Sequence, residues 1–246
     1  MKFQEDKVFA VIGDSFTFGQ GLYYYEWFKN YSGPSLKPSV NGELHHWDWP
    51  SHEHILTNKD YEEIKKYRYV DKLSKHLQME YIVRRQNGGN QQDLFYTINQ
   101  ILNSKIIGDG VVNRKVDLIV LNLTFPYRDV DIVFDGETEY KYLSQLSSDI
   151  KIIGNKCKSR GIKFLVWSWN EELATILQDE KFFVKLVHKN KSYICFNHLE
   201  YDFKYHKTPI TFQQEELFGV ADDHPSKYGH QIIYESIVNH LKKYDV

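Results

Sequence analysis

The sequence of 246 residues predicts an α/β fold in which a parallel sheet of five strands is covered by helices on both faces. Three observations predict it: short apolar runs rich in β-branched residues, segments of helical period between them, and turn-forming residues where the runs end. The first run, Val8–Ile12, contains no polar residue, which indicates a strand buried on both faces. We expect one domain over residues 1–246, with a long aromatic-rich insertion over about 22–58.

The later elements continue this alternation of strand and helix. The predicted strands are Tyr81–Val83, Val116–Leu123, Lys163–Trp169 and Ser192–Phe196. The predicted helices are Lys59–Gln78 with Asn58 as its cap, a segment through Tyr96, Ile98 and Leu102, Glu137–Arg160 ended by Gly161, Glu171–Leu177, Glu180–His188, and a last segment through Ile232, Ile233, Ile237 and Leu241. A helix between successive strands favours a parallel sheet, because each connection has to cross back over the sheet.

Charge and cysteine content exclude several classes of function. With 31 basic and 33 acidic residues the net charge is −2, so the chain lacks the charge excess that binds nucleic acid or an anionic membrane. Cys157 and Cys195 make no disulfide framework, which indicates a reducing compartment. Residues 1–7 lack the apolar region of a signal peptide, and no apolar run reaches membrane-spanning length. We expect a cytoplasmic protein, although a virion component would have the same features.

The first strand stops at a Gly-Asp-Ser turn, and this turn is the first candidate catalytic segment. In open α/β sheets, ligands bind at the carboxyl edge of the strands. Ser15 follows that edge, where its hydroxyl can act as a nucleophile and its backbone N–H can donate to an oxyanion. The alternative is a buried strand followed by an ordinary polar turn.

The end of the chain supplies a candidate base for this serine. Pro225 is expected in the first turn of the last helix, and it holds the preceding His224 extended on a short loop. A carboxylate shortly before the histidine can bond its other ring nitrogen and set its tautomer. Asp222, two residues before His224, is the first candidate for this role. Asp223 is the alternative, and it is less suited because the side chains of adjacent residues diverge.

The run Gly13–Gly21, Gly-Asp-Ser-Phe-Thr-Phe-Gly-Gln-Gly, resembles block I of the SGNH (GDSL-type) hydrolases, a family of esterases, lipases and carbohydrate deacetylases. The turn after the second strand is similar to block II, whose glycine donates to the oxyanion; Gly89 is the first candidate and Gly88 the alternative. The segment Asp222–Pro225 resembles block V, Asp-x-x-His-Pro, with the aspartate one residue closer. The resemblance implies a three-layer α/β/α, flavodoxin-like fold and no cofactor.

Block III departs from the family pattern. After Val116–Leu123 the family has Gly-x-Asn-Asp, whose Asn side chain completes the oxyanion hole, whereas residues 124–129 here are Thr-Phe-Pro-Tyr-Arg-Asp. Asn122 and Thr124 are the candidates for the third donor to the oxyanion. Arg128 is the candidate for a residue that lies over the site and contacts the substrate. The alternatives are a strand-end Asn122 bonded to the backbone and a solvated Arg128.

The insertion after the first strand is rich in Tyr and Trp. Trp47 and Trp49 are candidates for a substrate wall, since aromatic faces stack on sugar rings; packing on the core is the alternative. His230 is predicted to lie on a face of the last helix rather than to bind a metal. We predict no metal site in the insertion, because the spacing of its metal-ligating residue types matches no template: His45, His46, Asp48, His52, Glu53 and His54.

Together these residues predict a serine esterase that removes a short acyl group, acetyl, from a carbohydrate or similar polar substrate. Two alternatives remain open. One is a glycan-binding module with weakened catalysis, which the altered block III favours. The other is an acyltransferase, which would use the same residues on an alcohol instead of water.

Overall fold

A computed structural model describes residues 7–14, 17, 22, 57–85, 91–103, 116–123, 136–203, 211–214 and 220–244, with the backbone alone for 84–85, 212–214 and 220–223. The strands are β1 Val8–Gly13, β2 Glu80–Arg85, β3 Val116–Leu123, β4 Lys163–Ser168, β5 Leu186–His188, β6 Lys191–Tyr193, β7 Thr211–Gln214 and β8 Val220–Pro225. The helices are α1 Asn58–Lys65, α2 Tyr69–Leu77, α3 Gln91–Leu102, α4 Gly136–Ser159, α5 Glu171–Leu177, α6 Phe196–Phe203 and α7 Lys227–Tyr244. Across these ranges, no helix combines the length and apolarity needed to cross a bilayer.

A four-stranded parallel sheet with the order β2-β1-β3-β4 forms the centre of the described chain. β1 is an inner strand: Ile12 lies opposite Arg84 of β2 on one side and opposite Leu121 of β3 on the other. All six residues of β1 are buried, because helices cover both faces of the sheet. The prediction of a buried parallel sheet with helices on both faces is confirmed.

Side chains alternate between the two faces of the sheet, and each face has its own core. On one face, Ala10 and Ile12 pack against helices α3, α4 and α5. On the other face, Phe9 and Val11 pack against α2, α6 and α7 and against the β5–β6 hairpin. The described residues therefore form three layers, helix–sheet–helix.

The predicted helix Lys59–Gln78 is two helices, α1 and α2. The chain turns at Arg68, whose extended backbone (ψ 129°) ends the helical path before α2 begins at Tyr69. Thr57, not the predicted Asn58, caps α1: its hydroxyl accepts from the Asp60 N–H at 3.4 Å, and Asp60 accepts from the Thr57 N–H at 2.8 Å. Helix α4 ends as predicted, since Gly161 takes a positive φ of 67° that suits glycine.

The sheet in the described residues has four strands, so the predicted strand Ser192–Phe196 is not its fifth member. Lys191–Tyr193 instead pairs antiparallel with Leu186–His188, and Phe196 begins α6. A different residue, Phe183, forms a single parallel bridge to Val166 of β4. The Val166 N–H donates to Phe182 O at 2.9 Å, and the Val184 N–H donates to Val166 O at 2.7 Å. The predicted helix Glu180–His188 is also wrong, because its first residues form a turn, Phe183 bridges to Val166, and Leu186–His188 is strand β5.

A buried ion pair fixes the junction between α1 and α2. Arg68 Nε donates to Asp71 Oδ2 at 2.6 Å, and the Tyr81 hydroxyl of β2 bonds both residues, at 2.9 Å and 2.5 Å. Both charged side chains are less than a tenth exposed. Removing one member of such a pair leaves the other charge buried without compensation.

Asp71→Ala is therefore expected to lower the free energy of unfolding by about 3 kcal/mol, measured by urea titration. The matched control is Glu62→Ala, which breaks an exposed ion pair with Lys65 at the same i,i+3 spacing. That control should cost less than about 1 kcal/mol, because exposed pairs are screened by water. Equal losses in the two variants would contradict a stabilising role for the buried pair.

Candidate active site

Three neighbouring strands end at the same edge of the sheet, and each is followed in sequence by a predicted site residue. β1 is followed by Ser15, β2 by Gly89 and β3 by Thr124. Because β1 lies between β2 and β3, the carboxyl ends of β2 and β3 flank the carboxyl end of β1. This is the edge at which open α/β sheets bind ligands.

The end of β1 is packed so closely that only glycine fits at position 13. A Cβ added to Gly13 would lie 2.8 Å from Asn122 Cβ and would overlap the Thr17 side chain. The Thr17 N–H donates to Asp14 O at 3.1 Å, so Thr17 is held against the end of β1. A larger residue at position 13 would push Thr17 away from the end of β1.

Asn122 lies near the carboxyl end of β3, beside Gly13, and is completely buried. Neither its amide nitrogen nor its amide oxygen has a hydrogen-bond partner among the described residues. The alternative of a strand-end asparagine bonded to the backbone is therefore wrong. An unpartnered buried amide costs free energy, so its presence at the ligand-binding edge indicates a group that a ligand could satisfy.

His224 lies in β8, shortly before helix α7, where the pairing of β8 with β7 is irregular. The β7–β8 register shifts there, since Thr211 lies opposite Pro225 whereas Phe212 lies opposite Asp222. The prediction of a loop position for His224 is wrong, as is the prediction that Pro225 opens the helix. Ser226 caps α7 instead, accepting backbone N–H groups of the first turn at 3.2 Å and 3.1 Å. The His224 side chain is buried here, with 8% of its surface exposed.

The structure does not test the remaining site predictions. Asp222 and Asp223 belong to β8, but their description stops at the backbone. The other predicted site residues lie outside the described residues: Ser15, Gly88, Gly89, Thr124, Trp47, Trp49 and Arg128. The six residues of metal-ligating type within residues 45–54 lie outside them as well. Most of the predicted insertion also lies outside the described residues, although Leu22 at its start is described and is buried against Ile64.

A buried polar cluster next to this edge was not predicted from the sequence. The Tyr69 hydroxyl donates to Thr17 Oγ1 at 3.3 Å, and the Tyr69 N–H donates to His230 Nδ1 at 3.4 Å. The Tyr69 ring stacks on His230 and meets Trp167 edge-on. Burial raises the pKa of the Tyr69 phenol well above its usual range, so the hydroxyl stays protonated and able to donate. His230 lies in helix α7 as expected, on the face that is buried against α2.

Burial lowers the pKa of His230 from 6.5 to about 3, with further contributions from the charges of Arg68, Lys72 and His224. Because Nδ1 accepts from Tyr69, the ring proton is assigned to Nε2. The imidazole is therefore neutral in the folded protein at physiological pH.

A histidine that is neutral when folded and protonated when unfolded makes folding acid-sensitive. Its contribution to stability is complete above pH 6.5 and is lost as the pH falls toward 3. Between pH 6 and pH 5, the unfolding free energy of the wild type is expected to fall more steeply than that of His230→Gln, by about 1 kcal/mol per pH unit. Parallel pH profiles for the two proteins would contradict a neutral buried His230.

The sequence matches no protein-family model and no curated protein. Solved structures similar to this chain include an acetyl xylan esterase (Est2A) from the rumen bacterium Butyrivibrio proteoclasticus, with a TM-score of 0.48, 14% identity, and coverage of 99% of this chain and 64% of that one. A family two carbohydrate esterase from Clostridium thermocellum has a TM-score of 0.42, 13% identity, and coverage of 99% and 65%. A GDSL-like lipase from Bacteroides thetaiotaomicron has a TM-score of 0.43, 14% identity, and coverage of 98% and 89%. These neighbours are esterases and a lipase.

Proposed function

We propose that this protein is a serine esterase of the SGNH type, which removes a short acyl group, acetyl, from a carbohydrate or similar polar substrate. The unpartnered amide of Asn122 carries the proposal. It is buried beside Gly13, at the edge where the strand that precedes Ser15 ends. A preorganised donor at such an edge suits an oxyanion better than it suits a structural role.

In the proposed reaction, the Ser15 hydroxyl attacks the ester carbonyl while His224 takes its proton. The tetrahedral oxyanion is held by the backbone N–H groups of Ser15 and Gly89 and by the amide of Asn122, with Thr124 as the alternative to Asn122. Collapse releases the alcohol, which receives the proton from the imidazolium. Water, deprotonated by the histidine, then attacks the acyl-enzyme, releases the acid and restores the serine.

The arrangement of the described residues supports the pairing of Ser15 with His224. Helix α7, which follows His224, is joined to the turn after β1 through His230, Tyr69 and Thr17. His224 itself is buried, at the point where the pairing of β7 with β8 is irregular. We assign Asp222 as the carboxylate that orients His224, with Asp223 as the alternative, on the resemblance of this segment to block V.

The substrate class is proposed from the composition of the insertion. Trp47 and Trp49 offer flat aromatic faces that stack on sugar rings, and Arg128 offers a donor to polar substituents. The insertion contains no long aliphatic run that would line a fatty-acyl tunnel. A short acyl group on a polar scaffold fits these features.

A series of p-nitrophenyl esters of increasing acyl length tests this proposal with the full chain. The wild type is expected to hydrolyse the acetate ester with a higher kcat/KM than the octanoate ester, because the insertion has no long aliphatic run to line a fatty-acyl tunnel. The double variant Trp47→Ala/Trp49→Ala should raise KM for an acetylated glycan and leave p-nitrophenyl acetate unaffected, since this small ester does not reach the wall. A preference for octanoate or longer chains would contradict the acetyl assignment.

A further inference from the structure

We propose that Tyr69 is a positioning residue that fixes the Ser15 segment relative to the His224 segment; the inference rests on the proposed function, because it concerns how those two segments meet. Tyr69 is the first residue of α2, a helix that belongs to neither catalytic segment. It makes one hydrogen bond to each of them, one through its side chain and one through its backbone.

The side-chain bond restrains the nucleophile turn. The Tyr69 hydroxyl donates to Thr17 Oγ1 at 3.3 Å, and Thr17 comes two residues after Ser15. The Thr17 N–H in turn donates to Asp14 O, the residue just before the serine. The residues on both sides of Ser15 are therefore connected to Tyr69 through Thr17.

The backbone bond restrains the helix that follows the proposed base. The Tyr69 N–H, one of the helix-start donors that lack an intrahelical partner, donates to His230 Nδ1. His230 lies in the first turns of α7, and its own N–H donates to Ser226 O at 2.9 Å, two residues after His224. Further contacts hold α2 against α7: Lys72 bonds Gln231, and His76 meets Tyr234.

The position of the Tyr69 hydroxyl is fixed by the packing of its ring. The ring stacks on His230 at 5.8 Å with an interplanar angle of 20°, and it meets Trp167 at 5.9 Å and 89°. Thr17, Tyr69 and His230 are all completely buried. A hydrogen bond in such an interior has no competing water, so it holds its two partners in one geometry. Small displacements of a nucleophile cost much rate, since misplacement by 1 Å can cost about 10²-fold.

Tyr69→Phe tests the inference, because it removes the bond to Thr17 while keeping the ring and the backbone N–H. The kcat for p-nitrophenyl acetate, and the rate at which a fluorophosphonate labels Ser15, are each expected to fall about 10-fold to 100-fold. KM should stay within about twofold, because no substrate contact is lost. Thr17→Val removes the same bond from the other side, so the double variant should lose no more than either single one. Thr17→Ser restores a hydroxyl and should recover most of the rate.

The matched control is Tyr81→Phe, which also removes a hydroxyl bonded to buried groups at the start of α2, Arg68 and Asp71, but one for which no bond to either catalytic segment is seen among the described residues. Its kcat should remain within about threefold of the wild type even if its melting temperature falls. Equal kcat losses in Tyr69→Phe and Tyr81→Phe would overturn the positioning role while leaving the esterase intact. The positioning role would also be overturned if the kcat losses of Tyr69→Phe and Thr17→Val multiplied in the double variant, because the two changes would then act independently. A wild type that neither hydrolyses the ester nor reacts with the probe would overturn the proposed function, and this inference with it.

Discussion

Ser15→Ala is expected to lower kcat for p-nitrophenyl acetate by on the order of 10³-fold or more and to abolish labelling by a fluorophosphonate. The reason is that His224 then has no hydroxyl to deprotonate, and the acyl-enzyme cannot form. His224→Ala should cause a loss of similar size, and the double variant should lose no more than either single one, because the two residues act as a unit. Initial rates and labelling followed by peptide mapping provide the measurement.

The matched control for this loss is Ser159→Ala, at the last residue of α4, whose hydroxyl bonds only its own helix in the described structure. It should leave both rate and labelling unchanged. Labelling that persists undiminished in Ser15→Ala would show that another residue is the nucleophile. If the kcat losses of Ser15→Ala and His224→Ala multiplied in the double variant, the two residues would not act as one catalytic unit.

Asn122→Leu is expected to lower kcat by about 10² to 10³-fold with little change in KM, because an oxyanion donor acts in the transition state and not in substrate binding. Leucine keeps the branched shape of asparagine, with methyl groups in place of the amide nitrogen and oxygen. The same variant should unfold at an equal or higher free energy, because it replaces an unpartnered buried amide by an apolar group. Activity and stability would thus change in opposite directions.

Leu121→Val is the control for a general disturbance of β3. Leu121 precedes Asn122 but faces the opposite core, with α3, α4 and α5. This variant should lose about 1 kcal/mol of stability with kcat preserved. If Asn122→Leu keeps full activity, Asn122 is not an oxyanion donor, and Thr124 becomes the candidate.

The parallel strands could be predicted from the sequence because each is an apolar run too short for a helix. Val116–Leu123 is observed with the predicted bounds, and Val8–Ile12 forms β1 with only Gly13 added. Asn122 and His224 are also candidates from the sequence alone, Asn122 as a substitute for the block III asparagine and His224 from its place before Pro225 and its resemblance to block V. Their catalytic roles remain predictions.

The β5–β6 hairpin could not be predicted, because its turn lacks the usual signal. Lys189 and Asn190 both take positive φ, at 45° and 67°, where an Asn-Gly pair would have indicated a hairpin. The Tyr69 cluster was missed for a different reason. Tyr69 meets His230 across 161 residues of sequence, and no local pattern reports such a contact. The unsatisfied state of the Asn122 amide likewise depends on neighbours that only the fold brings together.

The central place of β1 has a consequence for how the chain folds as it is synthesised. β1 pairs with β2 and β3, which are both made later, and the nearer of them begins only at Glu80. Until then, Val8–Gly13 is an apolar, β-branched segment whose backbone groups have no strand on either side. Pairing of strands that are far apart in sequence is slow, because the entropy of closing the intervening chain is lost before the strand contacts stabilise the pair. The nascent chain therefore exposes an aggregation-prone segment until β3 has been made, and its yield depends on how well that segment is protected in the meantime.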